Sequence, residues 1–485
     1  MSASGEILRS TPENPEENQL RADVAAMMKA ALDAVDPRQA IHRAVSLEGD
    51  TLRVGEREFP LPPRGRLVVV GAGKAGATMA QAVEEILGDR IHNGLVITKR
   101  GQAYQYAGKR IEIVEGGHPT PDEEGWRGAQ RIAEMLEPLG EKDAVLCLVS
   151  GGGSALLTLP AHGIQLADLQ DLTQRLLKCG ATINEMNCVR KHLSLVKGGQ
   201  LARMAYPATV ISLILSDVVG SPLDVIASGP TVPDPTTFED AWAILERHDL
   251  IRRLNPSIRG RLQAGMVGAV AETPKEGDPA FRKVYNLVIG SNEIAASAAL
   301  EAARGRGYNA LLLSTYVEGE ARQVARVLAA VGKECARSGH PLPPPACFVA
   351  GGETTVTITG KGAGGRNQEL ALAAAIALDG WPRVALATLA TDGGDGPTDA
   401  AGAFVTGDIV RRARAQGLAA RAYLENNDSY HFFQKLGDLV MTGPTGTNVN
   451  DLTFILVTPL KRDCFTAEAA EKENEPQRRE GRKGF

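Results

Sequence analysis

The chain has 485 residues, of which 43% are hydrophobic and 23% are charged, and its formal net charge is −5. This composition is typical of a globular protein with a sizeable core, and the length predicts two or three domains. The acidic balance gives no indication of a nucleic-acid or anionic-membrane partner, and no apolar run approaches the roughly 18–20 residues of a membrane span.

Both ends of the chain are polar, and we predict that both are disordered. Residues 1–20 are rich in Glu, Pro and Asn and do not have the pattern of a secretory signal or transit peptide. Directly after this leader, ADVAAMMKAALDAV places apolar residues at helical spacing and predicts a first helix. At the other end, residues 461–485 are charged and nearly free of apolar residues, which predicts a disordered tail.

The middle of the chain repeats one pattern, in which a short apolar run is followed by a Gly-, Ser- or Asp-rich turn and an amphipathic segment. The runs, in chain order, are RLVVVGAG, GLVITKRG, AVLCLVSGGG, ATVISLILSD, YNLVIGSN, ALLLSTYV, CFVAGGET, VALATLATDGG and TFILVTP. Continuous apolar strands separated by helices are typical of parallel sheets that are covered on both faces. The pattern therefore predicts an α/β fold with mainly parallel, doubly wound sheets.

A polar stretch with Pro and Gly at residues 271–283 predicts a domain boundary. We expect an N-terminal Rossmann-like domain over residues 21–275, a C-terminal α/β domain over residues 280–460, and a cleft between them. Six cysteines lack C-x-x-C spacing, which predicts a reduced, cytoplasmic protein. Cys147 and Cys347 lie inside apolar runs and are predicted to be buried.

The first apolar run ends in GAGKAG at residues 71–76, which has the G-x-G-x-x-G spacing of a dinucleotide-binding turn. The next run ends in Lys99 and Arg100 instead of the acidic residue that holds a ribose, a pattern that argues against NAD and suits the 2′-phosphate of NADP. Lys74, inside the glycine turn, is well placed to neutralise a phosphoryl group or a substrate carboxylate. The alternative is a solvated surface lysine. Gly71 and Gly73 are candidate nucleotide-binding residues.

A second glycine-rich stretch follows the run AVLCLV and opens a predicted helix. Backbone N–H groups that converge at a helix start can hold an anion, although no Walker A pattern occurs in the chain. We call residues 150–154 the glycine loop and predict that it binds nucleotide phosphates. Its candidate residues are Ser150, Gly151, Gly152, Gly153 and Ser154.

Carboxylates stand at three further strand ends. Asp217, Glu353 and the pair Asp392 and Asp395 follow apolar runs, and carboxylate oxygens are ligands that Mg²⁺ accepts. Glu353, Asp392 and Asp395 are our candidate metal ligands. The alternative role for such aspartates is the capping of turns and helices. Asp217 is also a candidate base for a substrate hydroxyl.

Cations occur at two places that suit anion binding. Arg366, at a loop-to-helix junction, offers a guanidinium fork to a carboxylate or phosphate. Arg190, Lys191 and Lys197 lie within eight residues and are either anion ligands or a solvated helix face. His118 and His192 have no partners at metal-ligand spacing, and a structural role is favoured for both. Anion-holding groups, hard carboxylates and no G-x-S-x-G elbow together favour phosphoryl transfer by positioning and electrostatics.

These motifs resemble those of the class II glycerate 2-kinases, a family with a C-terminal MOFRL domain. The resemblance covers roughly residues 21–460 in the family's order. It is carried by GAGKAG, GGHPTPDEEG, LVSGGGSALL, INEMNCVRKHLSLVKGGQLA, LILSDVVGSPLDVIASGPTVPDP, GGETTVTITGKGAGGRNQELALA, TDGGDGPTDAAGAF and TGPTGTNVNDL.

The resemblance implies ATP-dependent phosphorylation of D-glycerate to 2-phosphoglycerate, with Mg²⁺, in a cleft between two α/β domains. Lys74 and Arg366 match the family's catalytic basic pair, and with Arg190 they are our candidate glycerate-binding residues. Asp217, Glu353 and Asp392 are our own candidates for the base and metal roles. Assembly as a homodimer is left open.

Two other functions are compatible with parts of the pattern. The first is an NADPH-dependent hydroxypyruvate reductase, which rests on residues 71–76 with Lys99 and Arg100. Hydride transfer does not need the aspartates and glycine turns of the second half. The second alternative is a metabolite sensor that uses the same anion sites without catalysis. The residues alone do not distinguish phosphorylation of the 2-hydroxyl from that of the 3-hydroxyl.

Overall fold

A computed structural model describes residues 7–8 and 14–460 of the chain. The α-helices are α1 (Pro15–Val35), α2 (Pro37–Ala44), α3 (Gly76–Leu87), α4 (Glu123–Leu136), α5 (Gly153–Leu156), α6 (Leu166–Lys178), α7 (Ile183–His192), α8 (Gln200–Ala205), α9 (Phe238–Arg247), α10 (Pro256–Met266), α11 (Asn292–Gly305), α12 (Ala321–Ser338), α13 (Arg366–Ala377), α14 (Ile409–Ala415), α15 (Ala420–Glu425) and α16 (Ser429–Leu436). Short 3-10 helices lie at Gly88–Arg90, Ala103–Gln105, Ile226–Ser228, Ile251–Arg253 and Pro279–Lys283.

The strands form two six-stranded sheets and a small three-stranded one. They are β1 (Val45–Glu48), β2 (Thr51–Val54), β3 (Arg57–Pro60), β4 (Leu67–Ala72), β5 (Asn93–Lys99), β6 (Ile111–Gly116), β7 (Ala144–Val149), β8 (Thr209–Leu215), β9 (Val284–Gly290), β10 (Asn309–Glu320), β11 (Ala346–Thr355), β12 (Val384–Ala390), β13 (Gly402–Thr406), β14 (Leu439–Val440) and β15 (Asp451–Val457). The α/β class is confirmed, and each of the nine predicted runs contains a strand.

The first sheet is parallel throughout and has the order β6-β5-β4-β7-β8-β9. Counted along the chain this is the order 3-2-1-4-5-6 of a doubly wound nucleotide-binding fold. Val69 of β4 packs in one core with α3, while its neighbours Val68 and Val70 pack in another core with α4. Burial on both faces explains why the strand sequence is apolar without alternation.

The second sheet has the order β10-β11-β15-β12-β13-β14, and only its β10–β11 pair is parallel. The prediction of a mainly parallel sheet is therefore wrong for this half of the chain. The reason is that β15 enters between β11 and β12 in the opposite direction. A strand buried on both faces is apolar whichever way it runs, so its sequence does not reveal its direction.

Helix α1 packs on the second sheet, although it precedes every strand of the first. Met27 and Met28 are fully buried in a core that also contains Cys347 and Phe454. The helix begins at Pro15, with the Asn14 side chain accepting hydrogen bonds from the backbone at its start. Helix over residues 15–20 contradicts a leader that is disordered to residue 20, because Leu20 is part of this apolar face. The predicted disorder of residues 1–6, 9–13 and 461–485 lies outside the described residues.

The predicted domain boundary at residues 275–280 also differs from the structure. Strand β9 pairs with β8 in the first sheet, so the chain passes to the second half only after Gly290. An earlier passage occurs at Asp36, between α1 on the second sheet and α2, which contacts α3 and β9. The chain therefore crosses between the halves twice.

Cys147 and Cys347 are fully buried, as their apolar surroundings predict. The remaining cysteines that the structure describes, Cys179, Cys188 and Cys335, are also free thiols. None of the helices in the described part of the chain has the length and apolar character needed to cross a membrane.

The Asp143 carboxylate fixes the start of β7 and leads to a stability prediction. It accepts hydrogen bonds from the Arg66 backbone at 2.7 Å, the Arg66 guanidinium at 2.7 Å and the Gly140 backbone at 2.8 Å. Burial by itself would raise the pKa of Asp143, but these hydrogen bonds outweigh it and lower the pKa to about 2. A lowered folded-state pKa stabilises the protein above the unfolded-state pKa, and that stabilisation is lost as the pH falls from about 4 to about 2.

Asp143→Asn is therefore expected to lower the free energy of unfolding by about 1–2 kcal/mol at pH 7, after allowance for the partly exposed Arg66. Urea unfolding at pH 7 and pH 3 measures this. The difference between variant and parent should shrink at pH 3. Asp89→Asn, which breaks the exposed ion pair with Arg110, is the control and should leave the unfolding midpoint unchanged. A loss of equal size at both pH values would contradict the role given to the charge.

Candidate active site

The carboxyl ends of three adjacent strands bring the first predicted residues together. Lys74 follows β4, the glycine loop follows β7, and Asp217 follows β8. A Cβ atom at Gly151 would collide with the Asp217 carboxylate, and one at Gly152 would lie 3.3 Å from Cγ of Lys74. The glycine loop thus lies between a half-buried lysine and a half-buried aspartate, in contact with both.

The GAGKAG turn does not present its amides as a dinucleotide site does. The backbone N–H of Lys74 donates to the Gly151 carbonyl at 2.8 Å, and that of Ala75 donates to Oγ of Ser150 at 3.1 Å. Gly73 has a φ of 150°, and a Cβ there would collide with Ser150. Ser150 and Gly151 therefore accept the hydrogen bonds that a pyrophosphate would need. The Lys74 ammonium makes no ion pair within the described part of the chain.

The glycine loop itself keeps three donors available. The backbone N–H groups of Gly151, Gly152 and Ser154 make no hydrogen bond to any residue that the structure describes. Gly152 adopts a φ of 83°, which turns the chain into the single helical turn α5. The helix predicted to follow the loop is therefore only four residues long. Successive free amides at such a turn form a concave site for an anion.

Buried cations lie behind this loop. Lys197 is 4% exposed, and its Nζ donates to the carbonyls of Ser154 and Leu157, both at 2.7 Å. Burial and the charge of Arg190 lower the pKa of Lys197 to about 7. Lys191 is 2% exposed and pairs with Asp234 at 3.2 Å. The solvated-face alternative for this cluster is therefore wrong for both lysines.

A cavity of about 290 Å³ opens beside the glycine loop. Its lining includes Gly152 and Ser154, the cations Arg190 and Lys197, and His118, and it contains no acidic residue among those described. Burial, then the charges of Lys74 and Lys99, lower the pKa of His118 to about 4, so the ring is neutral near pH 7. The sequence favoured a structural role for His118, but the structure places it in the site.

The second sheet contributes an ion-pair group centred on Arg366. Its Nε and Nη2 donate to the Asp451 carboxylate at 2.5 and 3.1 Å, and its Nη1 lies 3.1 Å from Oε1 of Glu353. The hydrogen bonds and charge of Asp451 outweigh burial and raise the pKa of Arg366. This arrangement holds the guanidinium at the end of β11, where the predicted cleft lies.

Asp451 is a site residue that sequence reasoning missed. It starts β15, and we expected functional residues after strands, not before them. Because β15 is antiparallel to β11 and β12, its first residue lies at their carboxyl ends. An isolated Asp directly before an apolar run was the available signal.

Asp395 and Asp392 have different positions in their shared loop. Asp395 is 2% exposed and accepts hydrogen bonds from the Asn367 and Gln368 backbones at 3.1 and 2.8 Å, at the start of α13. Burial raises its pKa to about 6 in spite of these bonds. Both oxygens are used by the helix, which favours capping over metal binding. Asp392 is exposed and its Oδ1 accepts only from Gly394, at 3.2 Å, within the described part.

The two halves face each other across a cleft. A cavity of about 390 Å³ is lined by Lys74, Ser150 and Gly151 from the first half and by Asp392 and residues 444–448 from the second. Burial raises the pKa of Glu353, Arg366 opposes this, and the charges of Asp451, Asp217 and Asp392 raise it further. These carboxylates are therefore close enough to interact across the cleft. Among the residues described, no three His, Cys, Asp or Glu side chains form a preassembled metal site.

Gly151→Ala is expected to lower turnover at least tenfold without unfolding the protein. Its backbone φ suits any residue, but the new methyl group would displace the Asp217 carboxylate. Steady-state rates and the melting temperature test this. Gly163→Ala, which meets nothing within 4 Å but has a φ of 81°, is the control for general glycine effects and should change stability more than rate. Full activity in Gly151→Ala would show that Asp217 need not stay in place.

Comparisons with known proteins identify the family and relatives of this chain. Residues 23–263 match a domain of unknown function, DUF4147, and residues 346–451 match the MOFRL family. The chain is similar to the glycerate 2-kinase of Pyrococcus horikoshii, with 44% identity over 88% of this chain and 95% of that protein. It is also similar to an Agrobacterium vitis protein that carries the provisional name hydroxypyruvate reductase, with 45% identity over 87% of this chain and 95% of that protein.

A solved structure shows the same fold. The crystal structure of glycerate kinase from Thermotoga maritima superposes with a TM-score of 0.81 at 42% identity, covering 92% of this chain and 100% of that one.

Proposed function

The chain belongs to the glycerate 2-kinase family with a MOFRL domain, and on this basis we propose that it transfers the γ-phosphoryl group of ATP to the 2-hydroxyl of D-glycerate. One observation supports this most directly. Three free backbone amides of the glycine loop lie between Lys74 and Asp217, opposite the Arg366 group of the other half. An anion site, a candidate base and two cations at one cleft are the groups that phosphoryl transfer requires.

We assign the ATP phosphates to the glycine loop. The amides of Gly151, Gly152 and Ser154 would donate to phosphate oxygens. Arg190, which the sequence predicted to bind glycerate, lines the cavity beside this loop together with Lys197, and we therefore assign the positive charge of both to the phosphates. The side of the loop that faces the cleft then presents the γ-phosphate to Lys74. Gly71 and Gly73 act indirectly, since close packing against β7 and Ser150 requires glycine there.

The donor set in the cleft fits Mg²⁺. Asp392 is exposed at the cleft, and the charges of Asp217 and Asp392 raise the pKa of Glu353. Mg²⁺ in kinases is held by one or two carboxylates with phosphates and waters, so a preassembled three-carboxylate site is not needed. Asp392 and Glu353 would hold the ion, whereas Asp395 is committed to α13. When bound, the ion would neutralise phosphate charge.

Asp217 takes the proton in this proposal. The glycerate 2-oxygen forms a bond to the γ-phosphorus, the bond from that phosphorus to the ADP oxygen breaks, and the hydroxyl proton passes to Asp217. Burial raises the pKa of Asp217, with the nearby Lys74 ammonium opposing, which makes the carboxylate a stronger base than an exposed aspartate. The products are 2-phosphoglycerate and ADP.

Lys74 and Arg366 neutralise charge from opposite sides of the cleft. Each would contact either the carboxylate of glycerate or the phosphoryl group that is being transferred to it. Asp451 and Glu353 fix the Arg366 guanidinium before substrate arrives, so little reorganisation is needed during the reaction. Closing of the cleft would also exclude water that otherwise hydrolyses ATP.

Phosphorus NMR of the purified protein with ATP, Mg²⁺ and D-glycerate tests the proposal. A 2-phosphoglycerate resonance should grow as ATP falls. A 3-phosphoglycerate resonance would support the kinase activity but contradict phosphorylation of the 2-hydroxyl. No transfer, combined with oxidation of NADPH by hydroxypyruvate, would favour the reductase alternative. The engaged amides of the GAGKAG turn argue against that outcome. A cytoplasmic location and a homodimer remain predictions that accompany this function.

A further inference from the structure

Lys197 is a buried cation whose charge has no carboxylate partner. No Asp or Glu oxygen in the described part of the chain lies within 4.0 Å of its Nζ, which instead donates to the Ser154 and Leu157 carbonyls. Lys191, equally buried and six residues earlier, has the ion pair with Asp234 that such a site ordinarily requires. The absence of a carboxylate beside Lys197 among the described residues, in contrast to Lys191, suggests that a negatively charged ligand binds near it.

The two carbonyls belong to the helical turn that follows the glycine loop. Ser154 is the second residue of α5 and Leu157 directly follows its last residue, and the Lys197 ammonium binds the carbonyls of both. Ser154 also carries one of the three free amides, and its hydroxyl is bonded to Ser228 at 2.8 Å. Lys197 and Ser228 therefore both bind Ser154, the residue whose backbone amide is available to a ligand. A four-residue turn has little stability of its own, so these contacts fix its orientation.

The surroundings of Lys197 favour an anion supplied from outside. It lines the cavity of about 290 Å³ together with Arg190, which has no ion pair within the described residues. Among the described residues, the lining of this cavity includes two cations and the free amides of Gly152 and Ser154 but no acidic side chain. A polyphosphate bound in this cavity would supply the missing negative charge beside Lys197 and Arg190.

We propose that Lys197 is a positioning residue for the phosphates of the donor nucleotide. It holds the turn that follows the glycine loop in place, and its positive charge offsets the negative charge of the phosphates. The inference rests on the proposed function in that it takes ATP to be the donor. Its lowered pKa agrees with this, because a cation that is costly to bury alone gains most from an arriving anion. Replacing a residue with a purely structural role would change the KM values for ATP and for glycerate by the same factor.

Lys197→Met tests the inference, since it keeps the length of the side chain and removes its charge and donors. The KM for ATP and the dissociation constant of ADP should both rise at least tenfold, as expected when a charged hydrogen-bond donor is lost. The KM for glycerate should change less than about twofold. Lys191→Met is the matched control, and it should lower the melting temperature without changing the ratio of the two KM values.

Equal rises in both KM values, or unchanged ADP binding, would overturn the inference. If Lys197→Met does not fold, Lys197→Gln keeps a donor while removing the charge and is expected to give the same imbalance. Binding of inorganic tripolyphosphate, measured by calorimetry without glycerate, separates this inference from the kinase proposal. Weaker tripolyphosphate binding in the variant would support the role of Lys197 even if no phosphoryl transfer occurs, and unaltered binding would reject it.

Discussion

Lys74→Ala is expected to lower kcat with ATP and glycerate by a factor of ~10² or more, as is typical when a charge-stabilising group is removed from a shielded site. Lys74 is half-buried, its ammonium is free of ion pairs within the described residues, and its side chain lies beside Gly152 of the glycine loop. Steady-state kinetics with an ADP-coupled assay measure the effect, and circular dichroism confirms that the variant is folded.

Lys99→Ala is the matched comparison for this variant. Lys99 lines the same cavity at the end of the neighbouring strand β5, but it is exposed. Its loss should cost less than tenfold, because solvent screens the charge of an exposed lysine. A folded Lys74→Ala protein with near-normal turnover would remove Lys74 from the proposed mechanism. Similar losses in both variants would mean that the cleft needs positive charge in general and not this ammonium.

Asp217→Asn is expected to lower kcat/KM by ~10²–10⁴, the usual contribution of a positioned general base. The pH profile gives a second, independent signature. Burial raises the pKa of Asp217, so the carboxyl of the parent enzyme becomes protonated at a higher pH than an ordinary aspartic acid. Activity should therefore fall as the pH decreases through that raised value. In Asp217→Asn this acidic limb should disappear from the remaining activity.

Asp395→Asn is the control for the loss of a buried carboxylate in the same cleft region. Its side chain caps α13, and its pKa is raised to about 6. We expect reduced stability, with the acidic limb of the rate profile kept. If Asp217→Asn retained more than a tenth of the parent activity, Asp217 would not be the base. If Asp395→Asn removed the acidic limb, the titrating group would be Asp395 instead.

The strands and most of the candidate site could be predicted because their physical signals are local. A buried apolar run that ends in a polar turn marks a strand end, and the site residues Lys74 and Asp217 follow such ends. Glu353 was also predicted at a strand end, but it lies inside β11, which continues through the two glycines to Thr355. The contact of the glycine loop with both Lys74 and Asp217 follows from the order of β4, β7 and β8. The turns that follow adjacent parallel strands lie together at the carboxyl edge of the sheet. The Gly, Ser and Asp residues of these turns can be recognised in the sequence.

The features of the fold and site that the sequence did not predict depend on packing between distant parts of the chain. The direction of β15 decides whether Asp451 joins Arg366, and a buried strand carries no mark of its direction. Asp395 has the same loop chemistry as Asp392, yet only the position of α13 makes it a cap. Likewise, the apolar face of α1 shows that the helix must be buried, but it does not show against which sheet.

The double crossing of the chain restricts how the cleft closes. One crossing is at Asp36, which lines the cleft, where the Val35 carbonyl accepts from Thr447. The other follows Gly290, where the Asn292 side chain donates to the carbonyls of Val449 and Asp451. Because the chain connects the halves at two places, we expect the proposed closing of the cleft to be a rotation about the line that joins them.

Such a rotation would bring Arg366 and Asp392 towards Lys74 and Asp217 along one path. We therefore expect α1, which packs on the second sheet and ends at the first crossing, to help align the site although it has no group in the proposed mechanism.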